Sequence, residues 1–235
     1  MNNFDNAPST INKSIKISQF LGLNINFPVF FISSGLAIIF SCLVLLFPEI
    51  SNQFLSDTRR FVVSRFDTLF TVSMSAFTMV IFFLIISPYG KIRLGGDEAS
   101  PEFSFISWVC MLFAAGVGIG MTFYGAAEPL SYYTGVFGTP LNVIPETSEA
   151  YRLAFSATIF HWGVNGWSVY AMIGLSLAFF CYNWKLPLTI RSIFYPLLGN
   201  KIWGWQGDVI DIIAVLSPLF GLATSLGLGA QQASS

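Results

Sequence analysis

The chain has 235 residues, of which 54% are hydrophobic and 10% are charged, with a formal net charge of −1 and a mean hydropathy of +0.68. Soluble domains carry about 25% charged residues, and a chain this apolar would expose large apolar patches in water. The composition therefore excludes an ordinary soluble domain, and the nearly neutral charge argues against a nucleic-acid partner.

Five apolar stretches are each long enough to cross a bilayer, which takes about 20 mostly apolar residues in a helix. They are residues 28–47, 69–86, 103–125, 153–182 and 209–230. The pattern predicts an all-α, polytopic transmembrane protein with about five spans. The fourth stretch is longer than one span needs, so we expect it to tilt or to extend beyond the lipid.

The polar residues 1–27 are predicted to form a cytoplasmic tail ahead of the transmembrane region 28–230. Lysine and arginine in the loops favour a cytoplasmic N-terminus, although Arg59 and Arg60 would then lie outside and argue against it. We expect a multi-pass protein of the inner (plasma) membrane with the lipid bilayer as its surroundings.

The connection 183–207 combines three tryptophans with Lys185, Arg191 and Lys201. This mixture favours an amphipathic segment at the cytoplasmic membrane surface. An ordinary connecting loop is the alternative.

Three glycines, Gly116, Gly118 and Gly120, alternate in the middle of the third stretch. Each glycine inside a helix costs roughly 1 kcal/mol relative to alanine, so an unwound turn that binds substrate or ion is one interpretation. Close helix packing through the four-residue spacing of Gly116 and Gly120 is the other. Spacing alone leaves both open.

Two ionisable side chains lie in or beside these apolar stretches. Glu128 follows the glycine segment, and we interpret it as an interfacial group more readily than as a relay, with Pro129 ending the helix. His161 is the single histidine of the chain. We interpret it as a hydrogen-bonded packing residue more readily than as a proton relay.

Aromatic residues cluster in the first half of the fourth stretch. Trp167 and Tyr170 share one helix face, and Trp162 joins them if the helix is distorted, which Gly163 and Gly166 would permit. Aromatic faces bind quaternary ammonium groups by cation–π attraction. An aromatic belt at the membrane interface is the alternative, but it accounts for only part of the cluster.

The fifth stretch contains Pro218 and several glycines, which again make the helix breakable. Thr224 and Ser225 offer hydroxyl oxygens of the kind that a hard cation such as sodium prefers. Hydrogen bonding between helices explains them equally well. The three cysteines lie in apolar runs without metal-ligand spacing, and no catalytic motif is present, so we expect no enzyme and no cofactor.

Four stretches of the sequence are long enough and distinctive enough to be compared with known families. They are KIRLGGDEASPEFS (91–104), AAGVGIGMTFYGAAEPL (114–130), FHWGVNGWSVYAMIGLSLAFF (160–180) and the segment 186–230. Together they resemble the betaine/carnitine/choline transporter family, and the resemblance covers roughly residues 28–230.

The resemblance implies a twelve-helix protein in which two extra helices precede two inverted five-helix repeats of the LeuT-like type. It assigns Trp162, Trp167 and Tyr170 to the trimethylammonium site and the segment 116–120 to an unwound region that contacts substrate and sodium. Backbone oxygens near Ala114 and Val117 become sodium-ligand candidates. Because the glycine segment contains no acid, it is more similar to sodium-coupled betaine carriers than to proton-coupled choline carriers. The resemblance also suggests a homotrimer.

The end of the chain departs from the family pattern after Ala230, and residues 231–235 are divergent. Family members are about twice as long or longer, so we expect this chain to be an incomplete N-terminal part that does not transport alone. The leading hypothesis is sodium-coupled uptake of glycine betaine or a related osmolyte. A choline or carnitine carrier is the alternative within the family, and a non-transporting membrane remnant that associates with relatives is the alternative outside it.

Overall fold

Long helices make up most of the residues that the computed structural model describes, which are 18–20, 23–116, 119–136 and 138–234. The helices are α1 (Phe27–Leu46), α2 (Pro48–Ile86), α3 (Phe105–Gly116), α4 (Ile119–Thr134), α5 (Ser148–Trp162), α6 (Val164–Ala178), α7 (Tyr195–Leu198) and α8 (Trp205–Ser234). In the described residues, this helical content confirms the predicted all-α class.

A short antiparallel hairpin precedes α1. Its strands are β1 (Ser18–Phe20) and β2 (Leu23–Ile25), and Ser18 pairs with Ile25. The sequence analysis assigns these residues to a polar tail and does not foresee the hairpin. Because α1 begins at Phe27, the apolar region starts within one residue of the predicted boundary.

Within the described ranges, four helical segments are long and apolar enough to cross a membrane. They are Phe27–Leu46, Pro48–Ile86, Ser148–Asn183 and Trp205–Gln231. The predicted third span is described as α3 and α4, and residues 117 and 118 between them lie outside the described residues. By length and composition, the structure therefore agrees with a polytopic membrane protein.

Helix α2 is much longer than the span predicted from the sequence. It begins at Pro48 rather than near residue 69, and its 39 residues extend about 58 Å, roughly twice the thickness of the hydrocarbon layer. Arg59 and Arg60, which the orientation argument treats as loop residues, are therefore helical. A proline in the first turn starts the helix without losing a hydrogen bond, and the charges of its N-terminal half remain exposed to solvent.

Two prolines lie inside helices, contrary to expectation. Pro129 does not end its helix, because α4 continues to Thr134, and α8 runs unbroken through Pro218. A proline inside a helix removes one backbone hydrogen bond, here to the carbonyls of Gly125 and Ala214. Membrane helices tolerate this loss when neighbouring groups satisfy the freed backbone.

The connection between α6 and α8 is folded around a buried arginine rather than laid out as a simple surface segment. Arg191 is 1% exposed; its Nε donates to Asp211 at 2.7 Å and its Nη2 to Asp208 at 2.8 Å. Its Nη1 donates to the Ile202 carbonyl at 3.2 Å. Because two carboxylates and a carbonyl satisfy the guanidinium, its burial next to the N-terminal turns of α8 is compensated, and removing one partner would cost about 3–5 kcal/mol.

Gly207 provides the first test of this packing. A Cβ at Gly207 would lie 1.8 Å from the Ile202 carbonyl oxygen and 3.1 Å from Arg191 Nη1, so Gly207→Ala must displace backbone at the arginine cluster. We expect a loss of about 3 kcal/mol, measured as a lower temperature of half-unfolding of the purified protein in detergent.

Gly204→Ala is the matched control, because a Cβ there meets nothing closer than 3.6 Å. The two variants should differ clearly in thermal stability. Equal stability of both would contradict the tight packing at Gly207.

Candidate functional site

The helix that carries the aromatic cluster is interrupted at one residue. Helix α5 ends at Trp162 and α6 begins at Val164, with Gly163 between them at φ −84° and ψ −149°. A Cβ at Gly163 would lie 2.5 Å from the Ile159 carbonyl oxygen, and one at Gly166 would lie 2.7 Å from that of His161. Only glycine fits this geometry, and the structure shows here the distortion that Gly163 and Gly166 permit.

The interruption opens a cavity of about 230 Å³ beside α2. It is lined by Met74, His161, Trp162, Gly166, Trp167 and Tyr170. The structure therefore brings together all three aromatic residues that the sequence singles out. The cavity is small, as suits a ligand of few atoms.

A hydrogen bond across the break links the two tryptophans. The last carbonyls of a helix have no partner within the helix. The carbonyl of Trp162 accepts a hydrogen bond from Trp167 Nε1 at 3.0 Å. The rings of Trp167 and Tyr170 lie 5.8 Å apart at 71°, an edge-to-face arrangement. These two side chains are 40% and 57% exposed, so their faces remain accessible.

Helix α4 supplies a carboxylate next to the cavity. Glu128 Oε2 accepts a hydrogen bond from Trp162 Nε1 at 2.7 Å, and Oε1 lies 2.8 Å from His161 Nδ1. The Glu128 side chain is 11% exposed. The carboxylate therefore turns toward α5, and its interfacial position in the membrane stays a prediction. His161 is hydrogen-bonded, in line with its expected packing role, although 57% of its side chain is exposed.

A second polar contact joins α2 to α6 next to the cavity. Thr78 Oγ1 on α2 lies 3.0 Å from Asn165 Oδ1 and 2.9 Å from Ser168 Oγ on α6. The carbonyl of Met74, whose residue lines the cavity, accepts from the same hydroxyl at 3.0 Å. Sequence reasoning misses this contact because its partners are separated by 87 and 90 positions.

The glycine segment is only partly visible. Gly116 is the last residue of α3 and Gly120 is the second residue of α4, whereas Val117 and Gly118 lie outside the described residues. Ala114, an exposed residue, is in the last turn of α3. Both interpretations of the glycine segment, close helix packing and an unwound binding site, therefore stay open.

The hydroxyl residues of α8 are not part of the aromatic cavity. Thr224 Oγ1 donates to the Phe220 carbonyl of its own helix at 3.0 Å and lines a different cavity, together with Phe40 of α1 and Leu55 of α2. Ser225, the next residue of α8, is half-buried. The structure thus does not bring Thr224 together with the three aromatic residues.

Comparison with known proteins identifies the family. Residues 28–235 match the family of betaine/carnitine/choline transporters, abbreviated BCCT. The chain belongs to this family. This membership confirms the resemblance of the four motifs. It also confirms a class of polytopic helical transporters rather than of enzymes.

Curated relatives are similar over most of this chain. A glycine betaine/proline/choline/ectoine transporter of Vibrio parahaemolyticus is 52% identical over 217 residues, which cover 91% of this chain and 38% of the relative. Glycine betaine transporter 1 of the same organism is 51% identical, covering 91% of this chain and 41% of the relative. The high-affinity choline transport protein of Escherichia coli K12 is 39% identical over 88% of this chain and 30% of its own length. The chain thus spans about two fifths of the length of the first two relatives.

The break at Gly163 leads to a second prediction. Gly163→Ala should change the angle between α5 and α6, because the added Cβ would collide with the Ile159 carbonyl. Spin labels at the exposed positions Tyr151 and Ile173 would report the distance between the two helices after the native cysteines are replaced. We expect the distance distribution to shift and broaden.

Gly174→Ala on α6 is the matched control, since a Cβ at that position meets no atom within 4 Å. An unchanged distribution in both variants would show that the break does not depend on Gly163.

Proposed function

We propose that the protein is a secondary active transporter and that this chain supplies the site for the trimethylammonium group of glycine betaine or a related osmolyte. The observation that carries the proposal is the convergence of Trp162, Trp167 and Tyr170 on one cavity at a helix break. A quaternary ammonium group has no N–H to donate, so aromatic faces are well suited to recognise it. Each desolvated cation–π contact contributes up to about 2 kcal/mol.

Electrostatics around the cavity support a cationic ligand group. The Glu128 carboxylate accepts a hydrogen bond from the indole nitrogen of Trp162 at 2.7 Å, and Trp162 lines the cavity. The remaining wall is formed largely by apolar and aromatic side chains. A negative charge behind an aromatic wall favours a cation in the cavity and disfavours an anion.

The names of the relatives support glycine betaine as the first candidate and choline as the second. Two of the Vibrio relatives are named for glycine betaine, one of them also for choline, and the Escherichia coli relative is named for choline. Carnitine shares the same trimethylammonium group and would fit the same cavity. The part of the ligand beyond this group would decide among the three.

Sodium coupling is part of the proposal. Hard oxygen atoms near Ala114, Val117, Thr224 and Ser225 are the proposed ligand set, and the segment 116–120 is the proposed contact between substrate and ion. Assembly as a homotrimer in the inner membrane with a cytoplasmic N-terminus completes the proposal. The inverted repeats of a LeuT-like carrier would move around the substrate site in alternating access.

Uptake measurements test this function. The protein, expressed from its complete coding sequence in a bacterial strain that lacks osmolyte carriers, should accumulate radiolabelled glycine betaine in sodium but not in potassium medium. Trp167→Ala should raise KM severalfold, up to about thirtyfold, because one cation–π face is removed.

Trp205→Ala is the control, since Trp205 is 71% exposed at the start of α8 and does not line the cavity. Choline and carnitine are added as competitors to rank the three substrates. Membrane insertion without uptake of any of them would favour the non-transporting alternative, and an unchanged KM for Trp167→Ala would remove that residue from the site.

A further inference from the structure

Glu128 is fully engaged although it does not line the cavity. One carboxylate oxygen holds Trp162 Nε1 at 2.7 Å, and the other lies 2.8 Å from His161 Nδ1. The Glu128 side chain is 11% exposed, and these two partners compensate the cost of burying its carboxylate.

Trp162 is held from two directions by one helix. Tyr124 and Glu128 are four residues apart and therefore lie on the same face of α4. The ring of Tyr124 stacks against Trp162 with centroids 6.0 Å apart and planes 26° apart, which fixes the plane of the indole. The hydrogen bond to Glu128 fixes the rotation of the indole within that plane.

The stacking and the hydrogen bond restrain Trp162 at a position where the helix backbone restrains it only from one side. Trp162 is the last residue of α5, directly before the break at Gly163, so no continuous helix fixes its side chain from the C-terminal side. Its carbonyl is also the acceptor for Trp167 Nε1. A shift of Trp162 would therefore move both tryptophans of the cavity.

We propose that Glu128 is a positioning residue that fixes the indole of Trp162 in the orientation in which it lines the aromatic cavity. This proposal rests on the proposed function, because it is tested through the affinity for a trimethylammonium substrate. It adds Glu128, and Tyr124 as the residue that stacks on Trp162, to the three aromatic residues that the sequence predicts.

Glu128→Gln separates positioning from charge. A glutamine carbonyl can still accept from Trp162 Nε1, and its amide can donate to His161 Nδ1 when that nitrogen is unprotonated. This variant therefore keeps the geometry and removes the charge. Glu128→Ala removes both, and it leaves the Trp162 N–H without its acceptor.

The experiment measures KM and Vmax for glycine betaine uptake in the wild-type protein and in both variants, at matched membrane abundance. We expect Glu128→Ala to raise KM about tenfold, the effect of losing one charge-assisted hydrogen bond, and Glu128→Gln to raise it less than about threefold. Glu149→Gln, at an exposed carboxylate in the first turn of α5, is the control and should leave KM unchanged.

A second variant keeps the test decisive if Glu128→Ala inserts poorly. Trp162→Phe retains a ring but lacks the N–H, so Glu128→Gln and Glu128→Ala should have similar KM values in that background. Equal and large effects of Gln and Ala in the wild-type background would overturn positioning in favour of charge, and no effect of Ala would overturn it outright. Absence of uptake by the wild-type protein would instead count against the proposed function itself.

Discussion

A polar group buried in an apolar, membrane-type chain must find a partner, and the arrangement of this protein depends on that constraint. In lipid there is no water to satisfy an unpaired donor or acceptor, and each such group costs several kcal/mol. The buried and half-buried polar side chains therefore act as fixed points between elements whose other faces are largely exposed. Three such points stand out: Arg191 against α8, Thr78 against α6, and Glu128 against α5.

The candidate site follows from the same constraint. Breaking the helix at Gly163 frees the carbonyl of Trp162, and the indole of Trp167 satisfies it. The indole N–H of Trp162 in turn requires an acceptor, which Glu128 provides. A chain of hydrogen bonds thus runs from α4 through Trp162 to Trp167. The aromatic walls of the cavity are positioned by polar contacts rather than by apolar packing alone.

The sequence predicts the parts of this architecture that depend on local composition. Apolar length locates most of the candidate membrane spans, and the pair Gly163 and Gly166 permits the distortion that the structure shows near the aromatic cluster. Sequence reasoning is wrong at two places, one where charged residues indicate a loop and one where a proline indicates the end of a helix. Charged residues near Arg59 suggest a loop, but they lie on an exposed helical extension, and Pro129 suggests a helix end although α4 continues.

Contacts between distant residues are the part that the sequence does not reveal. Arg191 meets Asp208 and Asp211 across 17 and 20 positions, and Glu128 meets Trp162 across 34. The spacing of these residues does not predict a pairing, because the partners lie in different elements of the structure. The family assignment and the aromatic cluster can therefore be predicted from motifs, whereas the role of Glu128 emerges only from the folded chain.

The central claim is that the cavity at the Gly163 break binds the trimethylammonium group. It is tested most directly by determining a crystal structure of the protein with the trimethylarsonium analogue of glycine betaine and locating the arsenic by anomalous scattering. The account predicts one anomalous peak inside the cavity, within about 6 Å of the ring centroids of Trp167 and Tyr170. A bound analogue whose arsenic lies elsewhere, with this cavity empty, would contradict it.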